Sequence, residues 1–309
     1  MSLRVVFFGT PDAAVPTLHH LLSSAHPVTA VLTAPDRPKG RGLEVLPSPV
    51  KEAAATAGLP VVQPTTLRDA SVQAALGDLG ADVFVVCAYG LILPQAVLDL
   101  PRLGAVNVHF SLLPAYRGAA PVTWAILDGQ PETGVTIMQM EAGLDTGPML
   151  AQVAEEILPE DDAGTLEAKL AEVGGQLLVD ALGRLEAGTV TPQPQDDETS
   201  SYAAKITPAS ARIDWSQEGD RIALAVRAFR PRPGAWTTLR GRRLKVWRAT
   251  PAGPASEGAP GSVTSRPGLE MVVATGNGSL VLDEVQAEGG RRMAGAEFMR
   301  GVRGDAVLE

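Results

Sequence analysis

An amide and an imidazole stand two residues apart in Asn107-Val108-His109, directly after an apolar run, and the chain continues Phe110-Ser111-Leu112-Leu113-Pro114. An extended backbone turns alternate side chains to the same side, so Asn107 and His109 can face one reacting group. An amide N–H suits a developing oxyanion and an imidazole suits a moving proton, a combination that fits acyl transfer. The same two residues fit equally a histidine that only hydrogen-bonds the end of a strand. Asp145 is the third residue of interest, in the glycine-punctuated stretch Glu141-Ala142-Gly143-Leu144-Asp145-Thr146-Gly147-Pro148. If the strand before it neighbours the strand before Asn107, its carboxylate reaches His109 and fixes its tautomer or favours its charged form. Otherwise Asp145 closes a tight turn between glycines.

Other chemistries lack their signatures. Gly9-Thr10-Pro11-Asp12 follows an apolar run but lacks the G-x-G-x-x-G spacing of a dinucleotide fingerprint, so Thr10 or Asp12 serves as well as a helix cap as a ligand contact. Gly40-Arg41-Gly42 is not followed by the Lys-Ser/Thr of a phosphate loop, and no Gly-x-Ser-x-Gly elbow occurs. The single cysteine, Cys87, sits in Val83-Phe84-Val85-Val86-Cys87, where a buried thiol fits without reactivity, and it excludes any disulfide framework. His19, His20 and His26 crowd one early helix and make poor co-ligands, so no metal centre is expected.

These groups need elements to position them. The 309 residues are 45% hydrophobic and 20% charged, enough to build a sizeable core over about two domains. Strand-like runs at 3–8, 28–33, 82–88, 105–108, 134–140 and 153–157 alternate with helical patterns at 13–24, 50–57, 118–127 and 165–186, predicting a parallel-rich α/β sheet. Ligands bind such sheets at the carboxyl ends of strands, where Asn107 and His109 stand. The polar, proline-containing stretch 188–206 reads as a linker between a domain at 1–187 and one at 207–309. Beyond it come short strands at 236–239, 243–248, 261–263, 271–274 and 279–285, with helices at 220–227 and 294–300, which predict a small β-barrel. No apolar run approaches the roughly 18 residues of a membrane span, and a cytoplasmic protein is expected.

The net charge of −9 conceals an asymmetry: residues 1–207 carry −13 and residues 208–309 carry +4. Nine Arg/Lys, counting Arg221, and no acid fall from Arg221 up to Glu257. Arg242, Arg243 and Lys245 lie on a predicted strand, and Arg37, Lys39 and Arg41 on the Pro/Gly loop 35–42. Each element alone reads as a solvated surface; together they favour phosphate contacts that respond to salt.

Several of these stretches resemble the methionyl-tRNA formyltransferase family. The resemblance runs through Phe8-Gly9-Thr10-Pro11-Asp12, Pro35-Asp36-Arg37-Pro38-Lys39-Gly40-Arg41-Gly42, Ala88-Tyr89-Gly90-Leu91-Ile92-Leu93-Pro94, Asn107 to Pro114, Arg117-Gly118-Ala119-Ala120-Pro121, Glu132-Thr133-Gly134-Val135-Thr136-Ile137-Met138-Gln139-Met140, Gly143-Leu144-Asp145-Thr146-Gly147 and Ala211-Arg212-Ile213-Asp214-Trp215. It implies a Rossmann-like formyltransferase domain followed by an OB-like β-barrel. The expected reaction carries the formyl group of 10-formyltetrahydrofolate to the α-amino group of methionine on initiator methionyl-tRNA, for translation initiation. It implies Asn107, His109 and Asp145 as catalytic residues and Ser111, Leu112, Leu113, Pro114, Leu91 and Leu93 as folate contacts. It also implies Arg41, Arg37 and Lys39, with Arg242, Arg243 and Lys245 of the barrel, as tRNA contacts. A monomer with no metal and no membrane partner is expected. Two departures stand out: Phe110 where the family often has glycine, and Arg230-Pro231-Arg232-Pro233 where it often has Asn-Pro-Trp-Pro. The competing readings are a formyltransferase for a nucleotide-linked amino sugar and an RNA-binding protein without catalysis.

Overall fold

The computed structural model describes residues 2–39, 44–253, 258–265, 270–304 and 306–309. The chain forms two compact units, one of residues 1–118, 132–156 and 167–203, the other of residues 119–131, 157–166 and 204–309.

In chain order the first stretch gives β1 (Val5–Gly9), α1 (Val15–Leu22), β2 (Val28–Leu32), β3 (Arg37–Lys39), β4 (Glu44–Leu46), α2 (Pro49–Thr56), β5 (Val61–Val62), α3 (Ala70–Asp78) and β6 (Val83–Cys87). Then follow α4 (Gln95–Leu98), β7 (Ala105–His109), β8 (Arg117–Gly118), α5 (Pro121–Leu127), β9 (Glu132–Gln139), β10 (Met149–Glu156), α6 (Ala163–Glu186) and β11 (Tyr202–Ala203). The main sheet of the first unit has the order β10-β9-β7-β6-β1-β2-β5. β5, β2, β1, β6 and β7 are parallel, and β9 and β10 run antiparallel. β1 and β6 are buried along their whole length, as strands covered on both faces must be. Val6, Phe8, Phe84, Val86 and Ala105 share one face with Tyr89, Leu93, Val97 and Leu98. α6 lies against the other face, where Gly174 lets it approach Val108 and Val135.

Several sequence expectations change. No side chain caps the start of α1; Thr10 Oγ1 instead donates to the Tyr89 carbonyl (2.9 Å) and accepts from Ala34 N, tying the ends of β1, β6 and β2 together. The expected helix at 118–127 begins only at Pro121, because Arg117 and Gly118 pair with Tyr202 and Ala203. Residues 188–203 group with the first unit, and residues 119–131 and 157–166 with the second. The physical reason lies in backbone pairing: Gln193 exchanges two hydrogen bonds with Met149, each 2.8 Å, which composition does not register.

The second unit adds α7 (Gly219–Ala228), β12 (Trp236–Leu239), β13 (Arg242–Pro251), β14 (Ser262–Ser265), β15 (Met271–Ala274), β16 (Ser279–Ala287), β17 (Arg292–Ala294), α8 (Gly295–Met299) and β18 (Ala306–Val307). The antiparallel order β12-β13-β16-β15-β14-β18, with β17 on β16, is nearly closed by a bridge from Leu239 to Leu308. Leu244, Val246, Val273, Leu280 and Leu282 fill its core, with Ile222 and Val226 of α7. Among the described residues no helix is long and apolar enough to cross a membrane.

Cys87 is fully buried, and burial pushes its thiol up to about 12, which leaves it inert at neutral pH. His26, also buried, accepts the Leu3 N–H at Nδ1 (3.1 Å), so that nitrogen carries no proton in the folded chain. Burial holds the His26 pKa below its ordinary value, with Glu186 opposing the shift. The unfolded chain therefore takes up a proton as pH falls below about 6.5 while the folded chain does not. Above that pH the group has no effect; below it, stability is lost progressively. The denaturation midpoint is expected to fall between about pH 7 and pH 5.5, and to fall less in His26→Asn. Equal pH slopes for the two proteins would show that His26 does not contribute.

Candidate active site

Asn107 and His109 project from β7 on the face opposite α6, as strand alternation requires. The Asn107 side chain is partly exposed and its amide has no hydrogen-bond partner among the described residues. His109 is buried. Its Nε2 lies 2.9 Å from the Tyr116 carbonyl, which can only accept, so Nε2 carries a proton and Nδ1 is the nitrogen that exchanges one. Asp145 Oδ2 sits 3.8 Å from Nδ1, an ion-pair distance too long for a hydrogen bond. The same oxygen accepts the Gly118 N–H at 2.8 Å.

This convergence is not a simple consequence of strand neighbourhood. β9 is antiparallel to β7, with Gln139 opposite Val106 and Thr136 opposite His109. The loop leaving β9 therefore starts at the amino end of β7 and must run back roughly 10 Å, three strand residues, to bring Asp145 to His109. Asp145 has a left-handed backbone, φ 53°, a conformation that aspartate tolerates better than most residues. It is thus both the turn residue and the partner of His109. Gly147 packs so closely on the loop's origin that a Cβ there would lie 1.9 Å from the Gln139 carbonyl oxygen.

A second set of residues, given no site role by the sequence, holds this arrangement. Fully buried Thr136 donates from Oγ1 to the Ser111 carbonyl (2.7 Å) and accepts from Leu113 N (3.1 Å) and Gln152 Nε2 (2.9 Å). Gln152 also donates to the Leu113 carbonyl at 2.8 Å. Gly118, φ 118°, has no room for a Cβ, which would meet the Ala203 carbonyl oxygen at 2.7 Å. Only an alternating apolar strand marks Thr136 in the sequence, and nothing there shows which of its threonines bonds the next loop.

The expected folate contacts separate into groups. Ser111 is fully buried with its hydroxyl donated to the Ala115 carbonyl (2.6 Å), and Leu113 is buried; both hold the loop. Leu112 and Pro114 are partly exposed. Leu93 belongs to the core on the Asn107 face, and Leu91 packs on it from a partly exposed position. Phe110 is buried. Tyr89, not singled out, is buried against Phe8 and its hydroxyl is unpartnered, with burial pushing its pKa up to about 12. Among the described residues no cluster of three or more His, Cys, Asp or Glu could hold a metal ion.

Of the expected basic contacts, Arg41 lies outside the described residues. Arg37 is exposed on β3, and Lys39 ends that strand. Asp36 beside them is held by Lys51 and Gln63, whose hydrogen bonds keep its carboxyl below the usual range. In the barrel, Arg242 and Arg243 are exposed on β13, and Arg243 stacks 4.0 Å from the Trp236 ring. Lys245 is partly committed, donating to the Pro233 carbonyl at 2.9 Å. Arg292 stacks 3.4 Å from Trp247 and Arg212 lies 5.7 Å from Trp236, two cations not among the expected contacts.

Comparison with known proteins gives the family of the chain. Residues 3–182 match the Formyl transferase family, and residues 205–303 match the family described as Formyl transferase, C-terminal domain. The chain is 52% identical over 301 residues to a methionyl-tRNA formyltransferase of Thiobacillus denitrificans, covering 97% of this chain and 96% of that protein. The chain belongs to the methionyl-tRNA formyltransferase family. It is a formyl-transferring enzyme with a Rossmann-like domain and a nearly closed β-barrel. Solved structures share the fold: HypX from Aquifex aeolicus in complex with tetrahydrofolic acid has TM-score 0.65 at 18% identity. That match covers 98% of this chain and 48% of HypX, so the formyltransferase chain spans about half the HypX length. An N-formyltransferase from Helicobacter canadensis in complex with folinic acid and dTDP-3-aminofucose has TM-score 0.65 at 18% identity, covering 93% of this chain and 100% of that one.

Thr136→Val keeps the shape and removes the hydroxyl, leaving the Leu113 N–H buried without its acceptor. A loss of about 1–3 kcal/mol in unfolding free energy is expected, together with reduced formyl transfer as the 111–115 loop loosens. Chemical denaturation and a turnover assay on the same preparation check both.

Proposed function

We propose that this formyltransferase carries the formyl group of 10-formyltetrahydrofolate to the α-amino group of methionine on initiator methionyl-tRNA, using Asn107, His109 and Asp145. The observation that carries the residue assignment is a carboxylate 3.8 Å from a tautomer-fixed imidazole, with an unpartnered amide two residues earlier on the same face of the strand. The 52% identical relative named methionyl-tRNA formyltransferase supports the acceptor, and HypX, solved with tetrahydrofolic acid on the same fold, supports the donor. Residues 1–187 would carry catalysis and residues 207–309 the larger part of the tRNA surface. An acceptor used in translation accords with a cytoplasmic enzyme.

The formyl donor is a substrate, consumed in each cycle. As the amine attacks, a C–N bond forms and the formyl oxygen becomes an oxyanion. The Asn107 amide donates to that oxygen, and His109 protonated at Nδ1 donates a second hydrogen bond. Its 3.8 Å separation from Asp145 leaves this proton free for a substrate oxygen instead of locked in a short carboxylate bond. Asp145 stabilises the imidazolium and helps draw the proton from the attacking amine. As the oxyanion collapses, the bond from carbon to the donor nitrogen breaks and that nitrogen takes up a proton. Leu91, Leu112 and Pro114, the partly exposed members of the expected set, wall the donor, with Ser111, Leu113 and Leu93 fixing their positions.

Removing one oxyanion donor typically costs about a hundredfold in rate. Asn107→Ala and His109→Ala should therefore each lower kcat by about that factor, with the unfolding midpoint and tRNA affinity little changed. Wild-type turnover in either purified variant contradicts the assignment. The reaction itself is tested by supplying a formyl donor with charged initiator tRNA or with a nucleotide-linked amino sugar. Product is expected from the tRNA alone.

Arg41, Arg37 and Lys39 of the first unit and Arg242, Arg243 and Lys245 of the second are proposed to meet tRNA phosphates. Arg41→Ala and Arg243→Ala should each weaken tRNA binding and reduce the slope of log K against log salt by about one, leaving transfer to a small amine unaffected. An equal defect with the small amine would place these residues in the chemistry instead.

A further inference from the structure

The two matched family regions end at residue 182 and begin again at residue 205, so neither assigns a role to the segment between them. That segment touches both arms of the site. Gln195 donates both hydrogens of its carboxamide into the loop that carries Asp145, to the Asp145 carbonyl (2.8 Å) and the Gly147 carbonyl (2.7 Å). Its own carbonyl accepts from Arg117 Nε at 2.9 Å, and Arg117 is anchored in turn by Asp197 at 2.8 Å. The Arg117 side chain is only 11% exposed, so the acceptor end of Gln195 is fixed by a guanidinium that cannot swing freely. Six residues on, Ser201 accepts the Tyr116 N–H at Oγ (2.8 Å) and the Arg117 N–H at its carbonyl (2.8 Å). Tyr116 supplies the carbonyl that fixes the His109 tautomer.

We infer that Gln195 is a positioning residue for formyl transfer, the strut that holds Asp145 opposite His109, within a strap that also fixes the acceptor of His109. A primary amide is suited to the place, since it offers two donors to two carbonyls and an acceptor to Arg117 in one rigid plane. Asp145 needs such support. It stands in a left-handed conformation at the far end of a loop that has climbed back along β7, and its carboxylate is only 13% exposed. A carboxylate misplaced by about 1 Å forfeits much of its effect on rate, on the order of a hundredfold in oriented systems.

The inference rests on the proposal that His109 and Asp145 are catalytic, and the test separates the two. Full-length enzyme carrying Gln195→Ala, Gln195→Glu, Asp145→Asn, or Gln195→Ala with Asp145→Asn is assayed with formyl donor and charged initiator tRNA across pH. Gln195→Ala is expected to lower kcat by about tenfold to a hundredfold with KM values within about twofold. Its pH–rate profile should change shape as that of Asp145→Asn does. Gln195→Glu, nearly identical in size, should lose activity similarly because a carboxylate faces two carbonyls without a donor. The double variant should be no slower than Asp145→Asn alone, since the strut has nothing left to position. Near-normal kcat in Gln195→Glu, or losses that multiply in the double variant, overturns the inference. If Gln195→Ala does not fold, Gln195→Glu decides. Full activity in Asp145→Asn instead overturns the catalytic reading beneath it.

Discussion

The site depends on a carboxylate kept close to, but not hydrogen-bonded with, an imidazole of fixed tautomer. Asp145 and His109 are both largely removed from water, so neither is solvated well enough to stand alone. The Gly118 N–H relieves part of the cost on Asp145, and the Tyr116 carbonyl fixes the proton on His109 Nε2. What is left is a single undetermined proton position, Nδ1, facing a negative charge. A charge–imidazole pair of this kind responds to sub-ångström displacement, because the attraction strengthens as the surroundings become less polar. Gly118 without a side chain, Gly147 pressed on the Gln139 carbonyl and Asp145 in a left-handed turn are the local conditions that this one distance imposes.

The sheet supplies the reference against which that distance is held. β7 is the last parallel strand, paired on one side to β6 and on the other to antiparallel β9. This reversal lets a single layer of backbone carry Asn107 and His109 on β7 and Thr136 on β9, with the Thr136 hydroxyl reaching the loop after His109. The two segments that leave the sheet next to the site, 110–118 and 140–148, are thus tied to the same pair of strands from opposite ends. Neither would be fixed by the sheet alone.

Parallel strands β1, β2, β6 and β7, the long helix, expected at 165–186, and barrel strands β12 to β16 were legible as apolar runs with a clear period, whereas the short β5, β17 and β18 were not. Asn107, His109 and Asp145 were legible as residue types, and the approach of Asp145 to His109 was expected on condition that the strands before them are neighbours; the loop returning along β7 to make it was not. The paired two-residue strands β8 and β11 carry no periodicity at all, and the polar stretch 188–206 gave every compositional sign of a linker. What composition cannot show is that backbone groups and amide side chains of a polar segment find partners in a folded unit as readily as apolar groups find a core. Of the roles open to Thr10, the helix cap is not the one it takes: its hydroxyl bonds Tyr89, distant in sequence.

The charge asymmetry was likewise legible as a number and not as a surface. On the barrel the cations are not simply spread over a strand face. The guanidinium carbons of Arg243 and Arg292 stand 4.0 and 3.4 Å from the ring centroids of Trp236 and Trp247, cation–π distances that restrict each side chain. A stacked arginine loses less conformational freedom when it meets a phosphate than one extended into water, because part of that ordering has already occurred on the ring. Lys245, donating to Pro233, sits on the same strand but is already engaged. Lys245 Nζ also lies 5.3 Å from the Trp247 ring, so these two tryptophans gather cations from β13 and β17, an arrangement invisible to a count of charges.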